Sequence, residues 1–446
     1  TLMEIIQYFV DLGPTVVLPI LIFIFGIILG AKPRKSFIAG LTVGIGFIGL
    51  NLITGLLGDN LGPAAQQMVE RFGLNLDTID VGWPAASAIS YGTVLGSLAI
   101  PIGIGVNILL LILGLTKTLM VDIWNFWHAA FIASLVYIAT NSFPLGLFAM
   151  VTYLCLMYLL GDIIAPTIKS FYGFPNITFP HGTSAPGFLV AIPLNMLFDR
   201  IPGFNKIEAN PETIQKQFGV FGETTVMGLI IGIIMGLLAG YPISETLKLG
   251  VVLAAVMMLL PRMVALLMEG LTPISEAAND FVKKKFPGRE LNIGMDSALS
   301  VGHPAVLSSS LILVPITIAL AFILPGNKTI PFGDLATIPY AVCLMAPVFN
   351  GNIIRTVLAG TLYMISILKI TSWVAPVVTQ AAQAANFDMG NNSSITALVE
   401  GGLWPTWLFV WAGQTAPWII IGIILLITLL GLYYINKVKT ERISEN

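Results

Sequence analysis

The chain has 446 residues, 56% of them hydrophobic and only 10% charged, against about 25% charged in ordinary globular proteins. That balance excludes a soluble protein of two or three domains and reads instead as a polytopic membrane protein. With a net charge of −2 and no long basic run outside the membrane-flanking loops, nucleic acid has nothing to grip, and Cys155 and Cys343, both in apolar runs, exclude a disulfide framework or a cysteine-based metal cluster.

From the N-terminus, residues 1–11 lack the basic lead of a secretory signal, and the first apolar run, Pro14 to Gly30, is followed by Lys32, Arg34 and Lys35. Hydropathy predicts about eleven spans of roughly 20 residues. They lie near 14–31, 37–57, 93–114, 124–141, 144–164, 224–242, 246–268, 305–324, 335–350, 352–376 and 415–436. The stretches 61–90, 171–199, 271–302 and 381–412 are too short or too broken to cross outright, and Asn205 to Gly219 is a polar cytoplasmic link. The 44 glycines and 27 prolines exceed what straight spans need; such residues persist at membrane depth in broken helices and re-entrant segments, which points to transport. Gly44-Ile-Gly46-Phe-Ile-Gly49 fits the dinucleotide pattern, yet it lies in an apolar span with no preceding strand and reads as close helix packing.

Short loops rich in Lys and Arg stay cytoplasmic. Threading eleven spans with the N-terminus outside and the C-terminus inside places sixteen of the 21 basic residues in the cytoplasm, among them Lys117, Lys169, Lys283, Lys284, Lys285, Arg289, Lys437, Lys439 and Arg442. Arg262 and Lys369, single cations inside spans, read as snorkelling or structural groups.

The chain also repeats itself. Gly26-x-x-x-Gly30 with Gly40 recurs as Gly236-x-x-x-Gly240 with Gly250, an offset of 210, and Asp80-Val-Gly82 matches Asn292-Ile-Gly294 at 212. Ala165-Pro166 and Ala375-Pro376 close the units. Five spans per unit invert the second copy, so the expected fold is all-α, with two inverted-topology repeats and re-entrant hairpins. The expected division is 1–166 for the first repeat, 167–221 for a re-entrant segment and linker, 222–376 for the second repeat, 377–413 for an extracytoplasmic re-entrant segment and 414–446 for the last span and tail.

Substrate sites of such folds lie near the midplane at matched broken segments, here 80–87 with 292–303 and 174–187 with 387–394. A polar group at that depth costs roughly 2.5–3.5 kcal/mol on insertion scales and is a functional candidate by default. His128, His181 and His303 qualify, as do Asp122, Asn125, Asp296, Glu269, Glu276 and Asp334. Three histidines without H-E-x-x-H spacing make no case for a metal, and with no phosphate loop or Walker lysine the chain implies no cofactor. Asn, Ser, Thr and His with one or two carboxylates suit a neutral polyol, and Trp83, Trp124 and Trp127 suit either stacking on a carbon chain or packing at the membrane interface.

Gly13-Pro-Thr-Val-Val-Leu-Pro19, Leu61-Gly-Pro-Ala-Ala65, Asp80-Val-Gly-Trp-Pro84, Val121-Asp-Ile-Trp-Asn-Phe-Trp-His128, Pro180-His-Gly-Thr-Ser184, Gly270-Leu-Thr-Pro-Ile274 and Pro331-Phe-Gly-Asp-Leu-Ala-Thr337 resemble the membrane component, enzyme IIC, of the bacterial galactitol phosphotransferase system. The resemblance covers nearly the whole chain and weakens after Val377. It implies an inner-membrane homodimer with a fixed scaffold and a mobile, elevator-type core, and uptake of galactitol or a similar polyol. Phosphorylation would come from a separate cytoplasmic IIB protein charged through IIA. The expected pocket comprises Trp83, Asp122, Asn125, His128, His181, Gly182, Thr183, Ser184, Glu269, Asp296 and His303, with Asp296 as the base for the accepting hydroxyl and His181 as its alternative. An ion-coupled secondary transporter using Asp122, Asp296 or Asp334 is the rival reading.

The orientation is testable by labelling. With Cys155 and Cys343 removed, single cysteines at Lys284 and Asn391 should react with impermeant reagents from opposite sides of the membrane; reaction from the same side would contradict the eleven-span threading.

Overall fold

The computed structural model describes residues 4, 5, 8, 11, 12 and 14–439 apart from 75, 286 and 391, so Asn391 and Arg442 of the topology argument lie outside the described residues. In chain order the helices are α1 Pro14–Ile28, α2 Pro33–Arg71, α3 Gly82–Gly92, α4 Ala99–Ile112, α5 Trp127–Thr140, α6 Phe143–Thr167, α7 Ala185–Arg200, α8 Pro211–Phe218, α9 Thr224–Ala239, α10 Ile243–Lys285, α11 Ala298–Val301, α12 Pro304–Ile323, α13 Ile338–Val342, α14 Ile353–Ala384, α15 Leu398–Gly402, α16 Trp404–Thr415 and α17 Pro417–Tyr433. Between them run six short strands: β1 Thr78–Asp80, β2 Thr118–Met120, β3 Ile177–Thr178, β4 Asn292–Gly294, β5 Thr329–Ile330 and β6 Ile395–Thr396.

Helices dominate, as the composition requires, but they divide the chain differently from eleven equal spans. Among the described residues five helices are long and apolar enough to cross a membrane, or six if the bent pair Pro211–Phe221 and Thr224–Ala239 counts as one span. Several expected spans are short: α4, 14 residues long, rises about 21 Å at 1.5 Å per residue, less than the roughly 30 Å of a hydrocarbon core. The stretch expected as a span at 335–350 is three separate turns, Leu335–Thr337, α13 and Ala346–Phe349. Pro339 and Pro347 each remove a backbone donor, and the chain leaves the last turn through Asn350 (φ 51°) and Gly351 (φ 75°), the left-handed region that stops a helix. Conversely, α2 and α10 continue through Pro63 and Pro273, so the breaks expected at 61 and 271 come only after Arg71 and Lys285.

One group of helices stands apart. α10 lies along α2 and α9, and α1 along α2. Small residues set these contacts, and they recur at the offset of 210. A Cβ built on Gly26 would meet Ser36 Oγ at 2.4 Å and one on Gly236 would meet Thr246 Cα at 2.8 Å; one on Gly40 would meet the Pro19 carbonyl oxygen at 2.5 Å and one on Gly250 the Leu229 carbonyl oxygen at 3.0 Å. Apolar side chains on α2, including Phe37, Leu41, Ile45 and Leu52, are exposed in the monomer, as expected of surfaces covered by lipid or protein.

The strands were not expected from an all-α reading, and they organise the remainder. They form two parallel three-stranded sheets, ordered β5-β1-β6 and β2-β4-β3. In the first, Ile79 is in register with Ile330 and Ile395; in the second, Ile293 is in register with Leu119 and Ile177. Each central strand therefore comes from one half of the chain and both its neighbours from the other half. Two or three residues per strand are too few for a hydrophobic period. Their role is to satisfy backbone groups where helices break inside the protein.

Candidate functional site

Each strand is followed within a few residues by a helical turn or helix, and the ends of both sheets converge on one cavity. It has a volume of about 50 Å³ and is lined by Trp83, Trp124, Asn125, Trp127, His128, His181, Thr183, Asp296, Thr337, Tyr340 and Asn51. Trp83 follows β1; Trp124 to His128 follow β2; His181 and Thr183 follow β3; Asp296 follows β4; Thr337 and Tyr340 follow β5. Glu400, which follows β6, reaches the same residues from behind. Only Asn51, on α2, comes from outside the two sheets. In open parallel sheets the carboxyl ends of the strands are where ligands bind, because the following helix N-termini present free N–H groups and positive dipole ends there.

Carboxylates occupy several of those N-termini. Asp296 Oδ1 accepts the Ala298 N–H at 2.8 Å at the start of α11. Asp80 Oδ1 accepts from Gly82 (3.0 Å) and Leu398 (2.8 Å), and its Oδ2 from Phe332 (3.1 Å) and Asp334 (2.8 Å). Asp334 accepts the Trp83 N–H at 2.8 Å, the Thr337 hydroxyl at 3.0 Å and the Val399 N–H at 3.1 Å. Asp80 and Asp334 are thus spent on joining the segments after β1, β5 and β6, which fixes Trp83, Thr337 and the Glu400 turn against one another. Several charge-assisted bonds of this kind offset the desolvation of a buried carboxylate.

The polar floor of the cavity holds two hydrogen-bonded groups that touch through the imidazoles of His128 and His181. Asn125 Nδ2 donates to Asp296 Oδ2 at 2.8 Å and also to Asp122. His181 Nε2 lies 3.8 Å from Asp296 Oδ2, and the Asp296 side chain keeps 18% of its surface exposed, so it is reachable from the cavity. Behind His181, Ser184 contacts its Nδ1 at 3.4 Å and Ser297 Oγ at 2.6 Å. His128 Nδ1 bonds Glu400 Oε1 at 2.9 Å, and Thr183 Oγ1 donates to Glu400 Oε2 at 3.2 Å. The two imidazoles meet edge to face, 4.8 Å between centroids. Gly182 makes this possible: a Cβ there would fall 2.4 Å from His128 Cγ and 2.5 Å from Tyr153 Oη. The lining also has aromatic residues, Trp83, Trp124, Trp127 and Tyr340, with Trp127 against His128 at 4.1 Å between centroids and Trp124 held by the Tyr91 hydroxyl bonding its carbonyl at 2.5 Å.

Most of the residues expected from the sequence meet here. Trp83, Asn125, His128, His181, Thr183 and Asp296 line the cavity, while Asp122, Gly182 and Ser184 back it. Two do not join them. His303 caps α12, its Nδ1 accepting the Ala305 N–H at 3.1 Å, and packs on Phe171 and Tyr172. Glu269 is exposed on the long α10 helix, as is Glu276. Glu400, Tyr340, Thr337 and Asn51 are additions that the sequence reading did not single out. A second, larger cavity of about 520 Å³ shares Asn51, Trp83, Thr337 and Tyr340 with the first and continues along Gly55, Gly58, Asp59 and Pro63 of α2 towards Phe332. It forms an open approach between α2 and the sheet-bearing core.

Residues 8–392 match the family described as the sugar-specific permease component of the phosphotransferase system. The chain belongs to that family. Over 431 residues, 95% of this chain and 94% of the relative, the permease is 43% identical to the galactitol-specific EIIC component of the phosphotransferase system from Escherichia coli strain K12, and it is equally similar to the protein of the same description from Escherichia coli O157:H7. A further permease IIC component of strain K12 is 36% identical over 398 residues, 89% of this chain and 91% of that one. The matches place it among multi-pass membrane permeases.

The packing at Gly182 gives a direct check. Gly182→Ala should push His128 and Tyr153 apart and cost about 1–3 kcal/mol, the usual scale of overpacking. Gly55→Ala, mid-helix in α2 and with no heavy atom within 4 Å of the new Cβ, should keep or slightly raise the melting temperature in detergent, since alanine favours a helix over glycine. Equal melting temperatures for the two variants would show that the His128–Gly182 contact is loose.

Proposed function

We propose that this permease takes up galactitol across the bacterial inner membrane and presents it for phosphorylation by a separate phosphorylated IIB protein at the cytoplasmic face. IIA acts only by recharging that donor. The observation that carries the reading is the 43% identity, over 95% of the chain, to a relative named for galactitol. The chemistry of the cavity supports it. Asn125, His128, His181, Thr183 and Asp296 offer both donors and acceptors to a ligand whose every carbon bears a hydroxyl, and the tryptophans of the lining suit its C–H face. The ion-coupled alternative, which would use Asp122, Asp296 or Asp334, is less favoured by the match to a galactitol-specific component, and Asp334 already has both oxygens engaged by the Trp83 and Val399 amides and the Thr337 hydroxyl.

The architecture we infer is a pair of inverted repeats. It is supported by the glycine contacts that recur at an offset of 210 and by the two sheets, each with its central strand from one half of the chain and its neighbours from the other. α1, α2, α9 and α10 would be the fixed scaffold and would carry the homodimer contact on their exposed apolar faces. The sheet-bearing core would carry the cavity past them as an elevator, with the N-terminus outside and the C-terminus in the cytoplasm.

In the transfer step a substrate hydroxyl attacks the phosphorus of the donor's phosphocysteine. The new O–P bond forms as the S–P bond breaks, the thiolate leaves with the bonding pair, and the hydroxyl proton passes to a base. We assign that base to Asp296. Its Oδ1 is held by Ala298, while Oδ2, beside Asn125 and His181, faces the polar floor. Asp296→Asn should keep galactitol binding while losing phosphorylated product by about a hundredfold or more in vesicles supplied with charged IIB, the usual scale for loss of a general base. Near-normal phosphorylation by that variant would end the assignment; absence of galactitol binding by the wild-type protein would end the substrate reading.

A further inference from the structure

The His128–Glu400 pair is built like the orienting half of a catalytic dyad, and nothing in the transfer step described above uses it. Glu400 sits in the two-glycine turn Glu400-Gly-Gly402 after β6, with its side chain only 2% exposed, and among the described residues no Lys or Arg pairs with it. Its Oε2 accepts the Thr183 hydroxyl at 3.2 Å and its Oε1 meets His128 Nδ1 at 2.9 Å. A carboxylate in that position accepts, so Nδ1 carries the proton and the lone pair is left on Nε2. His128 Nε2 is buried and has no hydrogen-bond partner among the described residues, although His128 lines the cavity. A buried imidazole nitrogen without a partner costs free energy unless a ligand supplies the missing donor.

We propose that Glu400 is a positioning residue that locks His128 in the Nδ1–H tautomer, so that His128 Nε2 accepts a hydrogen bond from one hydroxyl of the bound polyol. This deepens the substrate reading above, naming the group that recognises a hydroxyl as donor. It also divides the polar floor: Asn125 and Asp296 belong to one network, His128, Thr183 and Glu400 to another, and the two meet only where the imidazoles of His128 and His181 touch. Removing Glu400 frees the ring to protonate at Nε2, which replaces the acceptor the proposal requires with a donor.

The chain has three histidines, so histidine-selective 15N labelling gives a spectrum simple enough to assign, with His128→Gln identifying the His128 signals by subtraction. In the full-length protein reconstituted in lipid, His128 should show a protonated Nδ1 and a bare Nε2, and saturating galactitol should shift the Nε2 signal. Glu400→Ala should move the ring towards the Nε2–H tautomer and weaken galactitol binding by about tenfold, the size of one well-made hydrogen bond. A wild-type His128 protonated at Nε2, or an Nε2 signal unmoved by bound galactitol, would overturn the proposal without the variant having to fold. If galactitol fails to bind at all, the substrate reading falls with the ligand contact, while the ligand-free tautomer still decides whether Glu400 sets the ring.

Discussion

Backbone that leaves a helix at membrane depth must find its hydrogen bonds within the protein, and in this permease two small parallel sheets meet that demand. Each unsatisfied amide or carbonyl in a hydrocarbon setting costs several kcal/mol. Six helix breaks would be prohibitive if each were left to itself. Pairing them three and three resolves most of the backbone groups. It also brings the turns that follow five of the strands to one cavity, with Glu400, after β6, behind them. The ligand site follows from the solution to the backbone problem, since the places where helices must stop are also where free N–H groups and positive dipole ends collect.

The carboxylates follow from the same constraint. Asp80 and Asp334 lie where helix N-termini crowd together, and between them they take amides from Gly82, Trp83, Phe332, Asp334, Leu398 and Val399. Their worth is geometric: they bind the ends of three separate segments so that Trp83, Thr337 and the Glu400 turn hold fixed positions. Asp296 and Glu400 sit at comparable places yet retain contact with side chains of the cavity wall. Asp80 and Asp334 spend most of their bonds on backbone amides, whereas Asp296 and Glu400 also meet the Asn125 amide, the His128 imidazole and the Thr183 hydroxyl.

How much of this the sequence disclosed depended on how each residue was flanked. His181, Thr183, Asp296, Asn125 and His128 were legible because polar groups among apolar neighbours, near Gly and Pro, carry a cost that demands a reason. The sheets were not legible. Thr118-Leu-Met120 and Thr329-Ile330 are too short to show alternation, and their pairing joins residues more than 170 positions apart. Glu400 escaped because 377–413 read as extracytoplasmic, where an acid is inexpensive; yet Ile395-Thr396 repeats Ile177-Thr178, and that register sets Glu400 opposite Gly182 in the segment that had drawn attention. Tyr340 and Thr337 were hidden inside what read as a continuous span. Glu269 misled in the other direction: an acid in an apolar run looked like membrane depth, but the uninterrupted helix carries it to an exposed face of α10.

The central claim is that the strand ends of both sheets deliver one polyol site. It is tested most directly by a structure of the lipid-embedded protein determined with galactitol bound. The account predicts ligand density between the two sheets, in contact with Asn125, His128, His181 and Asp296 and with the tryptophans of the lining. Density elsewhere, for instance in the separate cleft lined by Lys117, Lys169 and Lys439 at the opposite end of β2 and β4, with the cavity between the sheets left empty, would contradict it.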